Sequence, residues 1–322
     1  MHKRLWSAAR WVIALAGAAL CIHLILATGW PAIAGALQNH WIFLLAMTAV
    51  YTAYHVLRTW TLQICIPHTA RFRDLFGIRL AGEAVAYIAV GSVLGDALKV
   101  VLGRGRIPVV ESATGVFAEK LIYHLSGAAF IIGGLLVAVF RFGVNPALVF
   151  AIAMLSVLFL AVVILMSSGA QPLARLLRHV RVRRPRLREA ILKTEQSLFQ
   201  FNREHPREFL AVFALDLLSY FYSVGEVYVI LRCLGLHPSA IDLWYYQSVV
   251  KVMSTGMIVV PANLGIFEAT NVYLSRQLAF GQEAGMITAL FVRIRATAWS
   301  VIGYLWFLWL LRDSPGEKAA LQ

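Results

Sequence analysis

Acidic residues are scarce in this sequence: 16 Asp or Glu stand against 29 Lys or Arg, and all charged residues together make up 14% of 322 positions. A soluble domain carries roughly 25% charged residues. The shortage therefore excludes an ordinary water-soluble domain. Cysteine is also rare, and Cys21, Cys65 and Cys233 stand singly inside apolar stretches, which excludes a disulfide framework or a Cys-based zinc site. The Gly-x-x-x-x-Gly-Lys-Ser/Thr pattern of a nucleotide-binding loop does not occur, so no nucleotide cofactor is expected. His23 and His124 lie on different segments without paired ligand spacing, and no metal or other cofactor is expected. No Ser-His or Cys-His spacing marks an activated nucleophile.

What the chain has instead is apolar length: 60% of its residues are hydrophobic. This composition reads as an all-α polytopic membrane protein. The net charge of +13 would suit nucleic acid, but the basic residues sit between and beside the apolar runs rather than on one soluble face. Anionic lipid headgroups at cytoplasmic loops are the expected partners, and nucleic acid is not.

Charge parity orders the segments. Lys3, Arg4 and Arg10 precede an apolar run over 11–28, which at ~1.5 Å per residue nearly crosses the bilayer core and reads as a retained helix. Residues 29–40 carry no Lys or Arg and read as an external loop; 41–64 returns to the cytoplasm, where Arg71, Arg73 and Arg79 follow. Residues 116–140 cross outward and 146–166 cross back. Ten Lys or Arg between 171 and 208 make the loop at about 171–207 cytoplasmic. Residues 208–234 then cross outward and 284–311 inward, which leaves both termini in the cytoplasm of a cell (inner) membrane protein.

Two apolar stretches are interrupted. Residues 259–270 contain Pro261, Asn263, Gly265 and Glu268, and residues 89–99 contain Gly91, Gly95, Asp96 and Lys99. Broken backbone at membrane depth is tolerated only where protein buries it or water reaches it. If 82–102 is a re-entrant hairpin entered from the cytoplasm, Lys99, Arg104 and Arg106 stay inside; if 246–281 is one entered from outside, every later loop keeps its parity. The expected architecture is a single membrane domain over 1–322 with about six full transmembrane helices and two oppositely oriented hairpins. Its first repeat covers about 41–140 and its second about 208–311, the inverted-repeat plan of secondary transporters.

Polar spacing repeats between the halves. Thr48, Tyr51, His55 and Arg58 follow one another at three, four and three residues, and Asp216, Ser219, Ser223 and Glu226 do the same; each set shares one helical face. After each break comes a segment with ionisable residues near its start: Glu119, Lys120 and His124 in the first half, Arg293 and Arg295 in the second. Charges inside a membrane cost ~2.5–3.5 kcal/mol each on insertion scales, so they face partners or a wet cavity. The candidate substrate-binding residues are Arg58, Asp96, Glu119, Lys120, Glu226, Asn263, Glu268 and Arg293.

Gly95-Asp96 followed by Glu119-Lys120, then Pro261-Ala-Asn-Leu-Gly-Ile-Phe-Glu268 followed by Arg293, resembles the transmembrane-region family of lysylphosphatidylglycerol synthase, a family of flippase-like integral membrane proteins. The likeness runs over roughly 48–311. The first half departs from the family pattern: it has no proline before Gly95, Asp96 stands where Glu is usual, and Lys120 where Arg is usual. The resemblance implies movement of a lipid or lipid-linked molecule between leaflets. It also implies that the soluble aminoacyl-transferase domain of some relatives is missing, since only 312–322 follow the last apolar segment.

The expectation is therefore a non-enzymatic flippase or scramblase with a polar midplane site, where both hairpin tips meet. Arg58 and Arg293 would hold a phosphate, and Asp96, Glu119 and Glu268 would hold those arginines or a cationic part of the headgroup. The same residues also fit structural ion pairs that tie the hairpins to neighbouring spans. The alternative functions are a membrane partner or scaffold of a lipid-modifying enzyme, or an intramembrane transferase; a homo-oligomer is compatible with any of them.

Overall fold

The computed structural model describes residues 20, 22–66, 70–88, 93–103, 107–168, 175, 185–256 and 263–312. Among the described residues every regular element is a helix. The elements in chain order are α1 (Trp30–Cys65), α2 (Phe72–Ile88), α3 (Val93–Leu102), α4 (Val109–Phe142), α5 (Pro146–Ser168), α6 (Pro185–Glu204), α7 (Pro206–Cys233), α8 (Ala240–Gly256), α9 (Ile266–Gln277) and α10 (Gln282–Arg312).

Five of these, α1, α4, α5, α7 and α10, are long and apolar enough to cross a membrane. The further span expected over 11–28 falls mostly outside the described residues, though 22–28 is helical. Cys21, Gly91, Arg104, Arg106, Pro261, much of the basic loop and the tail from 313 also lie outside them.

The expected external loop at 29–40 is corrected. Gly29, at φ 91°, ends the preceding helical stretch, and α1 begins at Trp30 and kinks at His40, whose non-helical dihedrals (φ −123°, ψ 19°) divide it into a helix over 30–39 and a longer one over 41–65. Pro31 sits in the first turn, where its missing N–H costs no hydrogen bond, and no further proline occurs until Pro67. At ~1.5 Å per residue the part of α1 after the kink, 41–65, rises about 38 Å, enough to cross a hydrocarbon core of about 30 Å. Residues 30–39 are thus helix rather than an open loop, and His40 is the kink at which the expected span over 41–64 begins.

The basic segment is likewise partly a helix. Its second part forms α6, which lies against α4, α5 and α7. Helix α5 buries no residue of its most apolar window and presents Phe150, Val157 and Ile164 outward, as a lipid-facing helix does.

Two pairs of shorter helices, α2 with α3 and α8 with α9, pack against each other. They fall on the two interrupted stretches but start earlier, at Phe72 and Ala240. Arg79, expected in a cytoplasmic loop, is buried inside α2, because Glu83 one turn further on supplies its countercharge. Within the first pair, a Cβ on Gly95 would collide with the carbonyl oxygen of Gly82, so the close approach of α2 and α3 requires glycine there.

Packing follows one rule in both halves. Helix α2 packs on α10 of the second half, and α8 packs on α4 of the first; α3 meets α4, and α9 meets α10. Helix α1 touches α7 at the centre, and the crossed contacts α4 to α7 and α1 to α10 complete the set. Gly127, Gly133 and Gly134 let α4 approach Tyr220, Trp244 and Ser248 without space for a side chain. The largest apolar cluster, with Phe130, Tyr220, Val227, Leu243, Tyr246 and Leu274, fills the junction of α4, α7, α8 and α9.

Candidate functional site

The face of α1 that carries Thr48, Tyr51, His55 and Arg58 turns toward α7, and its last residue meets the first residue of the matching stripe. Arg58 donates to both Asp216 on α7 and Glu119 on α4. All three side chains are buried, and the guanidinium carbon lies 4.0 Å from the centroid of the Tyr123 ring. Glu119 Oε2 and Asp216 Oδ2 have no hydrogen-bond partner among the described residues. One arginine thus joins three helices and carries two carboxylates, which would repel each other without it.

The other end of the α7 stripe is bound in the same way. Arg295 on α10 donates from Nη2 to Glu226 Oε2 at 3.1 Å, with Nε 2.7 Å from Oε1, and stacks over Tyr51 at 3.6 Å.

The breaks carry a second kind of pair. At the start of α9, Asn263 and Gly265 adopt positive φ (50° and 80°), so the chain turns sharply before the helix begins. Glu268 caps this turn: its Oε2 accepts the Gly265 N–H at 2.8 Å, as N-terminal carboxylates do. Arg293 on α10 binds Glu268 through Nε and, at 3.0 Å, through Nη2, and donates to the Asn263 carbonyl at 3.2 Å. In the first half Asp96, in the first turn of α3, lies 2.9 Å from Lys99 Nζ and 3.3 Å from Lys120 Nζ of α4.

The expected residues are therefore brought together in four groups: Arg58 with Glu119, Glu226 with Arg295, Asn263 and Glu268 with Arg293, and Asp96 with Lys120. Among the described residues Asp96 and Glu268 share no partner.

Between these groups lies a cavity of about 110 Å³. Tyr51, Tyr54, Tyr123, Tyr220 and Tyr222 line it together with Glu226, Lys251, Asn271 and Arg295. Of the eight expected residues only Glu226 lines it. A second cavity of about 200 Å³ lies against the other side of Tyr51, Tyr54 and Arg295 and is lined also by His55, Glu83, Tyr87 and Trp299. Three side chains thus line both spaces.

Three elements of this interior were missed by reading the sequence. Arg79 and His55 converge on Glu83, with His55 Nδ1 3.4 Å from its carboxylate. The tyrosines come from three helices and have no common spacing. Lys251 had a signal that was available: it is the sole charged residue between Asp242 and Glu268.

Two halves of a polytopic helical bundle that meet at a polar, tyrosine-lined interior define the class, an integral membrane protein with charged groups held inside its helix bundle. The chain belongs to the lysylphosphatidylglycerol synthase TM region family, whose profile matches residues 11–303, nearly the whole length. That membership makes it a membrane protein of lipid metabolism or transport. No curated protein and no solved structure matches the chain.

Proposed function

We propose that this protein moves a lipid or lipid-linked molecule between membrane leaflets without chemical change, as a flippase or scramblase. The observation that carries this reading is a pair of cavities that share Tyr51, Tyr54 and Arg295 in their linings and hold charged side chains, at the place where the two halves meet. A headgroup crossing a membrane needs polar groups along its way, and the charged and hydroxyl side chains of these cavities support that reading. In this reading α2 with α3, and α8 with α9, are re-entrant hairpins entering from the cytoplasm and from outside respectively, within an inverted repeat. Both termini and α6 are cytoplasmic in a cell membrane. The buried ion pairs hold the hairpins to the spans, and the cavities take the headgroup.

Reconstitution into liposomes that carry a fluorescent lipid in both leaflets tests the reading. Transport requires that an impermeant quencher reach inner-leaflet label faster with protein than without it. A chemically altered lipid would support the transferase instead. Neither exchange nor product would favour a scaffold for a lipid-modifying enzyme. Orientation is read by labelling introduced cysteines in intact cells: position 236 is reached from outside and position 203 is not, and the reverse result overturns the topology.

A further inference from the structure

Helices α2 and α8 occupy matching places in the packing of the two halves, and each is 17 residues long. The twelfth residue of α2, counted from Phe72, is Glu83; the twelfth of α8, counted from Ala240, is Lys251. The two sit in different electrostatic surroundings. Glu83 is neutralised by Arg79 one turn before it and approached by His55. One turn before Lys251 stands Gln247, which is uncharged and donates to the Ser223 carbonyl at 3.0 Å.

The nearest acid does not neutralise Lys251 either. Glu226, which lines the same cavity, has its carboxylate held by Arg295. Among the described residues Lys251 makes no ion pair and no hydrogen bond, and its ammonium lies 5.2 Å from the centroid of the Tyr220 ring. The other charges at the bundle's centre, at Arg58, Glu226 and Arg295, are paired. A lone ammonium in a membrane bundle is costly unless something brings it an opposite charge. Tyr54, Tyr222 and Ser254 line the same cavity and add hydroxyl groups that donate to oxygen.

We propose that Lys251 and the tyrosine hydroxyls around it form an anion site that takes the phosphodiester of the lipid moved by the protein. One fixed positive charge matches the single negative charge of a phosphodiester, and the hydroxyls serve its remaining oxygens. The assignment rests on the transport reading for the word lipid; the anion site itself rests on the charge pattern of the cavity.

The test uses the full chain in a non-ionic detergent and three probes: dihexanoyl phosphatidylglycerol, dihexanoylglycerol, which has the same chains and no phosphate, and inorganic phosphate. Calorimetric titration is expected to show the phosphodiester lipid binding roughly tenfold or more tightly than dihexanoylglycerol, the size expected for one charge-assisted contact. Lys251→Met should remove that preference, and Lys251→Arg should restore most of it. If Lys251→Met does not fold, Lys251→Gln set against Lys251→Arg makes the same comparison. Equal affinity of wild type and the uncharged variant for the phosphodiester lipid overturns the proposal, as does equal affinity of wild type for the two lipids. Inorganic phosphate binding as tightly as the lipid, and lost in Lys251→Met, overturns the lipid assignment in favour of a free phosphate site. Leaflet exchange measured on the same variants separates the two readings. Phosphate-dependent binding without exchange removes transport and leaves the anion site, whereas exchange that Lys251→Met does not slow removes the anion site and leaves transport.

Discussion

The two halves of the molecule solve the same mechanical problem with different charges. At each break a carboxylate on the second short helix pairs with a base on the next long helix: Asp96 with Lys120, and Glu268 with Arg293. Deeper in the bundle the polarity reverses. In the first half the early helix brings the base and the later one the acid, Arg58 with Glu119; in the second the early helix brings the acid, Glu226 with Arg295. A pair that only fastens two helices needs complementary charges, and which helix carries which is free to differ. A charge that faces a cavity without a countercharge among the described residues has no such freedom, because its sign selects what enters. Glu83 and Lys251, the matched residues of α2 and α8, differ in sign, and among the described residues the second has no ion pair.

Burial separates the two fastenings further. The Glu268 side chain is 0% exposed and Arg293 16%, whereas Asp96 is 14% and Lys120 25% exposed. Removing one partner of a buried pair leaves an uncompensated charge, and this costs far more than losing a pair that water reaches.

The largest effect is expected at Arg58, whose buried ion pairs reach into both halves. Arg58→Met leaves Glu119 and Asp216 buried together without a countercharge, and should lower stability by about 3–5 kcal/mol or prevent recovery of folded protein; thermal unfolding in detergent measures it. A variant as stable as wild type would mean that the three-helix junction is not what holds α1, α4 and α7 together.

Next come the two fastenings, compared directly. Glu268→Gln should cost about 3 kcal/mol, since Arg293 and the Gly265 N–H both lose an ionised acceptor, while Asp96→Asn should cost about 1 kcal/mol or less. Equal losses would erase the contrast drawn from their burial. Combining Glu268→Gln with Arg293→Met should recover part of the loss, because a buried pair can be replaced more cheaply than it can be halved.

The freedom of polarity is tested by exchange. Glu226→Arg with Arg295→Glu keeps one acid and one base between α7 and α10, and should unfold within about 1–2 kcal/mol of wild type, whereas Glu226→Gln alone should fall about 3 kcal/mol below it. An exchanged protein no better than the single variant would show that surroundings, Tyr51 under Arg295 above all, dictate the sign.

The smallest effect belongs to the rim. Arg141, 62% exposed, lies 3.1 Å from Asp242 across the ends of α4 and α8, and Arg141→Ala should shift stability by less than about 1 kcal/mol and diminish in added salt. A larger loss would place α8 under the control of its exposed end rather than of its apolar contacts with α4.

Much of this was legible along the chain, for identifiable reasons. Membrane residence follows from composition, because a bilayer core admits few charges. Five long helices follow from apolar runs of sufficient length, and the break before Ile266 follows from Gly265 and Glu268, whose preferences are local. Spacing placed Arg58 on one face with Tyr51 and His55, and Glu226 on one face with Asp216. The limit of local information shows at α1, where 29–40 reads as a loop and 30–39 is helix, joined to the expected span by a kink at His40. It shows again at Arg79, whose charge reads as cytoplasmic and is buried against Glu83.

By itself the sequence determined that the protein lies in a membrane, that its two halves carry broken segments, and which residues share a helical face. Those properties depend on composition and on neighbours within one or two turns. Only the tertiary structure decided what each face meets: that Arg58 joins Asp216 across 158 positions as well as Glu119, that Glu226 is claimed by Arg295, and that Lys251 has no ion pair among the described residues. Helical periodicity sets the direction of a side chain about its own axis, whereas pairing depends on which helices pack together and at what depth. No residue's neighbours in sequence carry that information.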